Sequence, residues 1–188
     1  MKIRLARFNI YLLSGLLACG VGCETTKSPS SPGKTSSKKP NSKEYTLLRL
    51  HLQANPDGTD RTVPVAIYRK NPMTMTVSTT PFLSEANVMS AAVLEQQGVL
   101  AIQIKFDRRG TLLLENITTA YKNSWIGVLA TFGESRWLAA PYIDQRITDG
   151  VFTFTPDATR EEAERIVNGL TNVAKKLDNA PPAPKKTK

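Results

Sequence analysis

The side chains equipped for covalent or acid–base work are few in this 188-residue sequence, which holds one histidine and two cysteines. Zinc-type sites draw on clustered thiolates and imidazoles. Beyond Tyr45 the chain offers His51 and no thiol at all, so no metal and no cofactor is expected. A serine-type triad would have to take its base from His51, and a solitary histidine inside an apolar strand is ordinarily a packing residue. Glu161, Glu162 and Glu164 look like paired carboxylates, but they crowd a helix start, where the helix dipole stabilises negative charge. Arg108-Arg109 and the stretch Asp144-Gln145-Arg146 read as surface ion-pair partners of small energetic weight. Gly33-Lys34-Thr35 has the tail of a phosphate-binding loop, yet Ser28 stands where the leading glycine belongs and no strand precedes it. The pattern points away from an enzyme. Trp125, Trp137 and Tyr142 remain. They either pack in the core or form an exposed apolar ledge that holds an unfolded peptide.

These aromatics lie in the best-punctuated part of the chain, Trp125 to Leu177. Two short apolar runs, Arg136 to Ile143 and Arg146 to Phe154, flank Asp149-Gly150, a strong turn signal because glycine accepts positive φ. A helix start follows. Thr159 can cap the first turn, and Glu162, three residues on, completes a capping box. Ala163, Ile166, Val167, Leu170, Val173, Ala174 and Leu177 then recur at helical spacing. Lys175 and Lys176 suit the negative end of the helix dipole, and Pro181-Pro182 ends the segment. The expectation is a strand–strand–helix unit.

The rest of the chain supplies the elements that must hold this unit. Strands are expected over Tyr45–Leu52, Val63–Tyr68, Met73–Ser78, Val88–Leu94 and Val99–Phe106, with a turn at Asn55-Pro56-Asp57-Gly58 and a short turn or single helical turn at Ser84–Asn87. In Val99–Phe106 the alternation should bury one face and leave Gln103 and Lys105 outward. Asp107 is a plausible cap for a helix reaching about Tyr121, with Leu113, Ile117 and Tyr121 along one face. Gly110 in its first turn costs about 1 kcal/mol against alanine, for which close packing is the expected compensation. Runs of strands with two principal helices predict an α+β fold, the helices packed on one face of a mainly antiparallel sheet.

The termini belong to another class. Lys2, Arg4 and Arg7 precede the apolar run Phe8–Ala18, far below the ~20 residues of a membrane span, so residues 1–18 read as a secretory signal. Leu16-Leu17-Ala18-Cys19 resembles a bacterial lipobox, in which Cys19 is acylated, palmitate-type chains included, and becomes the mature N-terminus. Cys23 is the alternative attachment point, and an ordinary signal peptide or an uncleaved anchor stays open. Residues 19–44 turn to Ser, Thr, Lys and Pro, a composition that cannot bury enough surface to offset its ordering entropy, and 178–188 repeat it. With both cysteines spent at the signal's end, residues 45–177 must hold together by their core alone.

The charge follows the same division. Eight of the 25 Lys/Arg precede Tyr45 and three follow Leu177, which leaves the domain 14 basic against 13 acidic residues. A nucleic-acid binder needs its basic face on the folded part, so no nucleic-acid partner is expected. The tether reads as a basic segment near anionic headgroups or cell-wall polymer.

Taken in order, the features from Tyr45 to Leu177 resemble the head subdomain of the first large periplasmic domain of the SecD family of protein-export subunits. The resemblance is carried by Thr76-Val77 through Pro81-Phe82-Leu83, by Val99–Phe106 with the helix from Asp107, and by the strand Trp125–Leu129. The strand ending Ala139-Ala140-Pro141, the Ile147-x-x-Gly150 step and Phe154 before Glu161-Glu162-Ala163 complete it. It implies a head that contacts emerging polypeptide on the outer side of the membrane. The transmembrane helices that drive movement in that family have no counterpart in this sequence. Two readings follow. One is a lipid-anchored module of the bacterial envelope that faces the periplasm from the inner or outer membrane and binds exported polypeptides or translocon subunits. The other is a structural envelope lipoprotein that reuses the fold for assembly. A third, a hydrolase built on His51, lacks a nucleophile and base set.

Overall fold

A computed structural model describes residues 44–179. The signal, Cys19 and Cys23, most of the tether and the C-terminal tail lie outside the described residues. The elements run β1 (Leu47–Leu52), β2 (Thr62–Ile67), β3 (Met73–Ser78), β4 (Leu83–Ser84), a 3-10 turn (Glu85–Asn87), β5 (Val88–Gln96) and β6 (Val99–Phe106). Then come α1 (Arg108–Ala120), β7 (Ile126–Thr131), β8 (Ser135–Ala139), β9 (Val151–Phe154) and α2 (Arg160–Asp178). The strands form a four-stranded sheet ordered β4-β1-β7-β8, a hairpin β2-β3 and a three-stranded sheet β5-β6-β9. Every pairing among them is antiparallel. The α+β expectation holds, with the sheet divided into three parts.

Residue alternation decides where each part goes. On β1, Leu48 and Leu50 face the larger core, joined by Ile126, Val128 and Ala130 of β7 and Leu138 of β8. Ile102, Ile104 and Phe106 of β6 with Phe152 and Phe154 of β9 close it from the second sheet. Gln103 is half-buried and Lys105 exposed, as their alternation requires. Both helices feed this core, α1 through Leu114 and α2 through Ala163, Ile166 and Leu170. The opposite face of the four-stranded sheet is covered by β2-β3, and a smaller core of Val65, Ile67, Met75, Val77 and Ala140 lies beneath the hairpin. β5 and β6 join through Gln97 (φ 52°) and Gly98 (φ 78°), the two positive φ values of a tight hairpin turn.

Two sequence expectations need correction. Asp149-Gly150 does not turn a hairpin. β8 pairs with β7 and β9 pairs with β6, in different sheets. Gly150 does take positive φ (70°), but the stretch is held by α1. Ile147 N donates to Thr118 Oγ1 at 3.0 Å, and Phe106 N donates to Gly150 O at 2.9 Å. The chain is thus led along the helix from one sheet to the other. The buried stripe of α1 is also one residue away from the expected one. Gly110, Leu114 and Thr118 are buried, whereas Leu113 and Ile117 are half-buried and Tyr121 is 46% exposed. A buried threonine is tolerated there because its hydroxyl donates to Leu114 O at 2.8 Å while accepting from Ile147 N.

The helix ends follow the sequence closely. Asp107 accepts from Gly110 N at 2.6 Å, and a Cβ on Gly110 would stand 2.9 Å from Phe106 Cβ and 3.0 Å from Asn87 Cβ. Close packing is therefore the compensation for that glycine. Thr159 and Glu162 form the capping box, with Glu162 N donating to Thr159 Oγ1 at 3.2 Å and Thr159 N donating to Glu162 Oε2 at 2.8 Å. Gly169 brings α2 against the approach to β1, where a Cβ would meet Thr46 N at 2.8 Å. Alanine in an exposed helix interior gains about 1 kcal/mol over glycine, but overpacking here costs about 1–3 kcal/mol. Gly169→Ala should therefore lower stability by up to about 2 kcal/mol in urea unfolding, and Asn168→Ala on the exposed side should leave it within about 0.5 kcal/mol.

Candidate functional site

The three candidate aromatics share one region, the hairpin-covered face of the four-stranded sheet and its end. Trp125 precedes β7 and bridges to Tyr142 beyond β8, with Ile126 N donating to Pro141 O at 2.9 Å and Ile143 N to Ser124 O at 2.8 Å. This ladder sets the two rings edge to face at 5.0 Å and 63°, a favourable arrangement for aromatic quadrupoles. Tyr142 is the outer ring, 46% exposed. Trp125 is half-buried against the smaller core and presents its remaining edge beside it.

Trp137 has a different role. From β8 it lies over Gly127, where a Cβ would stand 2.9 Å from the indole and 3.2 Å from Val77 Cγ1. Only a residue without a side chain lets the indole lie against the sheet there. Its other neighbour is His51, at 5.1 Å edge to face. Trp137 therefore packs the hairpin onto the sheet, and the ledge consists chiefly of Tyr142 and Trp125.

His51 is 5% exposed, and its Nδ1 lies 2.8 Å from Ser78 O on β3. A carbonyl oxygen only accepts, so Nδ1 carries the proton and the neutral ring presents a bare Nε2. That atom is buried and has no hydrogen-bond partner. The bond to a main-chain carbonyl, and not to a hydroxyl or carboxylate, makes the ring a clasp between β1 and the hairpin. Gln53 and Ala54 extend the clasp, Gln53 N donating to Trp125 O at 2.9 Å and Ala54 N to Thr76 O at 3.0 Å.

A second cluster was not foreseen from sequence. Arg136, its side chain 16% exposed, reaches Glu134 at 2.6 Å, Glu162 at 3.1 Å and Asp157 O at 3.2 Å, and lies 5.3 Å above the Phe132 ring. Arg69, after β2, reaches Asp157 at 3.3 Å and Glu162 at 3.4 Å. Burial pushes the Glu162 carboxyl up, but the Arg136 hydrogen bond, the Thr159 N–H and the charges of Arg136 and Arg69 outweigh it. The group is held below the ordinary carboxylate range. Glu162 thus caps α2 and also ties it to β8 and to the hairpin. The two arginines gave no signal in sequence, since apart from Glu134 their partners lie 21 residues and more away. Glu161 and Glu164 are exposed on α2, and Arg146 pairs with Glu115 of α1. Among the described residues no group of three or more His, Cys, Asp or Glu is placed to hold a metal ion.

Burial of His51, the larger effect, and the nearby Arg49 lower its pKa below 6.5, against the opposing hydrogen bond to Ser78 O. The unfolded chain then binds the proton more readily than the folded one. The stability due to the neutral ring is full above the unfolded value and is lost as pH falls through the folded one. Denaturant midpoints should drop between about pH 7 and about pH 5. His51→Gln should flatten that step, because the chain has one histidine to titrate in the window.

Comparison with known proteins fits this geometry. The family described as SecDF, P1 head subdomain, matches residues 62–174. No curated protein matches the chain by sequence. Among solved structures, one titled as a membrane component SecDF that enhances protein export superposes with a TM-score of 0.51 at 17% identity. The match covers 69% of this chain and 63% of that one. SecDF in its super-membrane-facing form gives a TM-score of 0.50 at 17% identity, over 69% of this chain and 19% of that one. The chain thus spans less than two thirds of either protein, and among its described residues no helix is long and apolar enough to cross a membrane. The likeness in structure is one of fold, and the match over residues 62–174 gives the family: the chain belongs to the SecDF P1 head subdomain family.

Proposed function

We propose that this chain is a lipid-anchored protein of the bacterial cell envelope whose head domain binds extended polypeptide, as an accessory to protein export. The observation that carries the reading is the exposed Tyr142–Trp125 ledge on a domain of the SecDF head family. A related protein of that family, SecDF, enhances protein export. Aromatic faces suit a binder of many sequences, since they offer contact area at low entropic cost and require no particular partner side chain. The family and the basic start and apolar run that precede Cys19 support a periplasmic placement. Acylation at Cys19, or at Cys23, supplies the anchor, and acyl chains hold a protein at a bilayer by about 0.8 kcal/mol per buried CH₂. No bond-making chemistry is assigned to the domain: His51 is engaged with a main-chain carbonyl.

The ledge is tested with a photo-crosslinking amino acid in place of Tyr142 in the full lipoprotein, in native membranes, beside the same probe at Lys105 on the exposed face of β6. Newly exported chains or translocon subunits should be captured from position 142 and not from 105. Both membrane retention and capture should be lost in the Cys19→Ser, Cys23→Ser variant. Removing the outer ring with Tyr142→Ala should weaken peptide binding about five-fold, the value of one aromatic contact of about 1 kcal/mol. Recovery of only cell-wall or outer-membrane proteins from both positions would sink the export reading and favour a structural lipoprotein.

A further inference from the structure

The chain enters and leaves the domain on one side of α2. The Glu44 carboxylate accepts from Arg165 Nε and a terminal guanidinium nitrogen, each at 3.0 Å, and its carbonyl accepts from Asn172 Nδ2 at 2.9 Å. The Tyr45 ring follows, 5.0 Å from the Lys176 ammonium. Asp178, two residues later, ends the helix. At 1.5 Å rise per residue, the contact at Asn172 and the helix end are about 10 Å apart along the axis, about one Debye length at physiological salt.

That pole carries two adjacent lysines, with one acid, Asp178, in the same turn. Lys175 and Lys176 are exposed in the last turn. Residues 24–43, which arrive here, carry five lysines and one acid, and residues 180–188, which depart here, carry three lysines and none. The rest of the domain is nearly balanced. Beside the lysines stand two exposed apolar side chains, Tyr45 at 50% and Leu177 at 46%. Lysines flanking an exposed tyrosine and leucine match the headgroup region of a bilayer, where aromatic rings sit at the interface and cations meet anionic lipid.

We infer that the α2 end, Lys175, Lys176, Tyr45 and Leu177, docks against an anionic lipid surface. The inference extends the anchoring half of the proposed function: the lipid holds the chain at the bilayer, and this pole fixes which side of the domain faces it. The ledge at Tyr142 belongs to the far end of the four-stranded sheet's covered face, on other elements, and is not used by this contact.

The test is lysine footprinting of the full-length protein reconstituted in vesicles of neutral lipid or of neutral lipid with added anionic lipid. Lys175 and Lys176 should acetylate on the order of three-fold more slowly on the anionic vesicles, with the protection gone at high salt. Lys70 and Lys122, exposed elsewhere on the domain, should react equally on both. Equal reactivity of Lys175 and Lys176 on the two vesicles would overturn the inference. So would equal protection by a soluble polyanion without vesicles, which would assign the pole to a polymer. The anchoring reading fails separately: its failure appears as unchanged membrane retention of the Cys19→Ser, Cys23→Ser variant, whatever the footprint shows.

Discussion

The four-stranded sheet is buried along one face and partly covered on the other, and much else in the domain answers to that constraint. One face is covered by the second sheet and the two helices, the other by the β2-β3 hairpin. On β1 the second face meets water at Leu47 and Arg49, but under the hairpin residues that would normally be wet must be accommodated. Gly127 removes a side chain to admit the Trp137 indole, and His51 enters neutral with one ring nitrogen donated to Ser78 O. Leu129, on the same face, is half-buried as well. Without a disulfide among residues 45–177, the hairpin is held by this packing, by the Gln53 and Ala54 bonds, by Tyr68 Oη accepting from Ala140 N and by the arginine–carboxylate cluster at the α2 start.

What could be read from sequence divides along physical lines. Local signals were sufficient where local chemistry decides the outcome. The capping box of Thr159 and Glu162, the Asp107 cap, the alternation of Val99–Phe106 and the strand Met73–Ser78 all reappear in the fold. Signals failed where a distant partner decides. Asp149-Gly150 has the residues of a hairpin turn, but α1 captures the stretch through Thr118 and Thr111 and sends β9 to β6. The buried stripe of α1 shifted for the same reason, since Thr118 finds its partners outside the helix's own pattern.

The candidate site was half legible. Aromatic residue types mark Trp125, Trp137 and Tyr142, but their contacts separate them, Trp137 against Gly127 and His51 and Trp125 against Tyr142, and those contacts are a property of the assembled sheet. Trp137 is spent on holding the hairpin, so the ledge is narrower than three rings would suggest. The cluster of Arg136, Arg69, Asp157 and Glu162 left no trace in sequence because its members come from four separate segments. A buried guanidinium with an unpartnered Nε is costly to create and costly to break. Glu162 therefore couples the start of α2 to the hairpin, and the ledge is built beside a region that resists independent movement.

The Glu44 contacts have a mechanical meaning. They lie upstream of β1, so tension applied through the preceding residues reaches the Glu44–Arg165 pair and the Asn172 bond before it reaches any strand. Behind them β1 is an interior strand, paired with β7 along its full six residues from Leu47 to Leu52 and with β4 on its other side. The clasp is a weak first link in front of a strong second one. A pull on the N-terminal side would release one helix contact and leave the sheet intact, so that contact yields before the fold does.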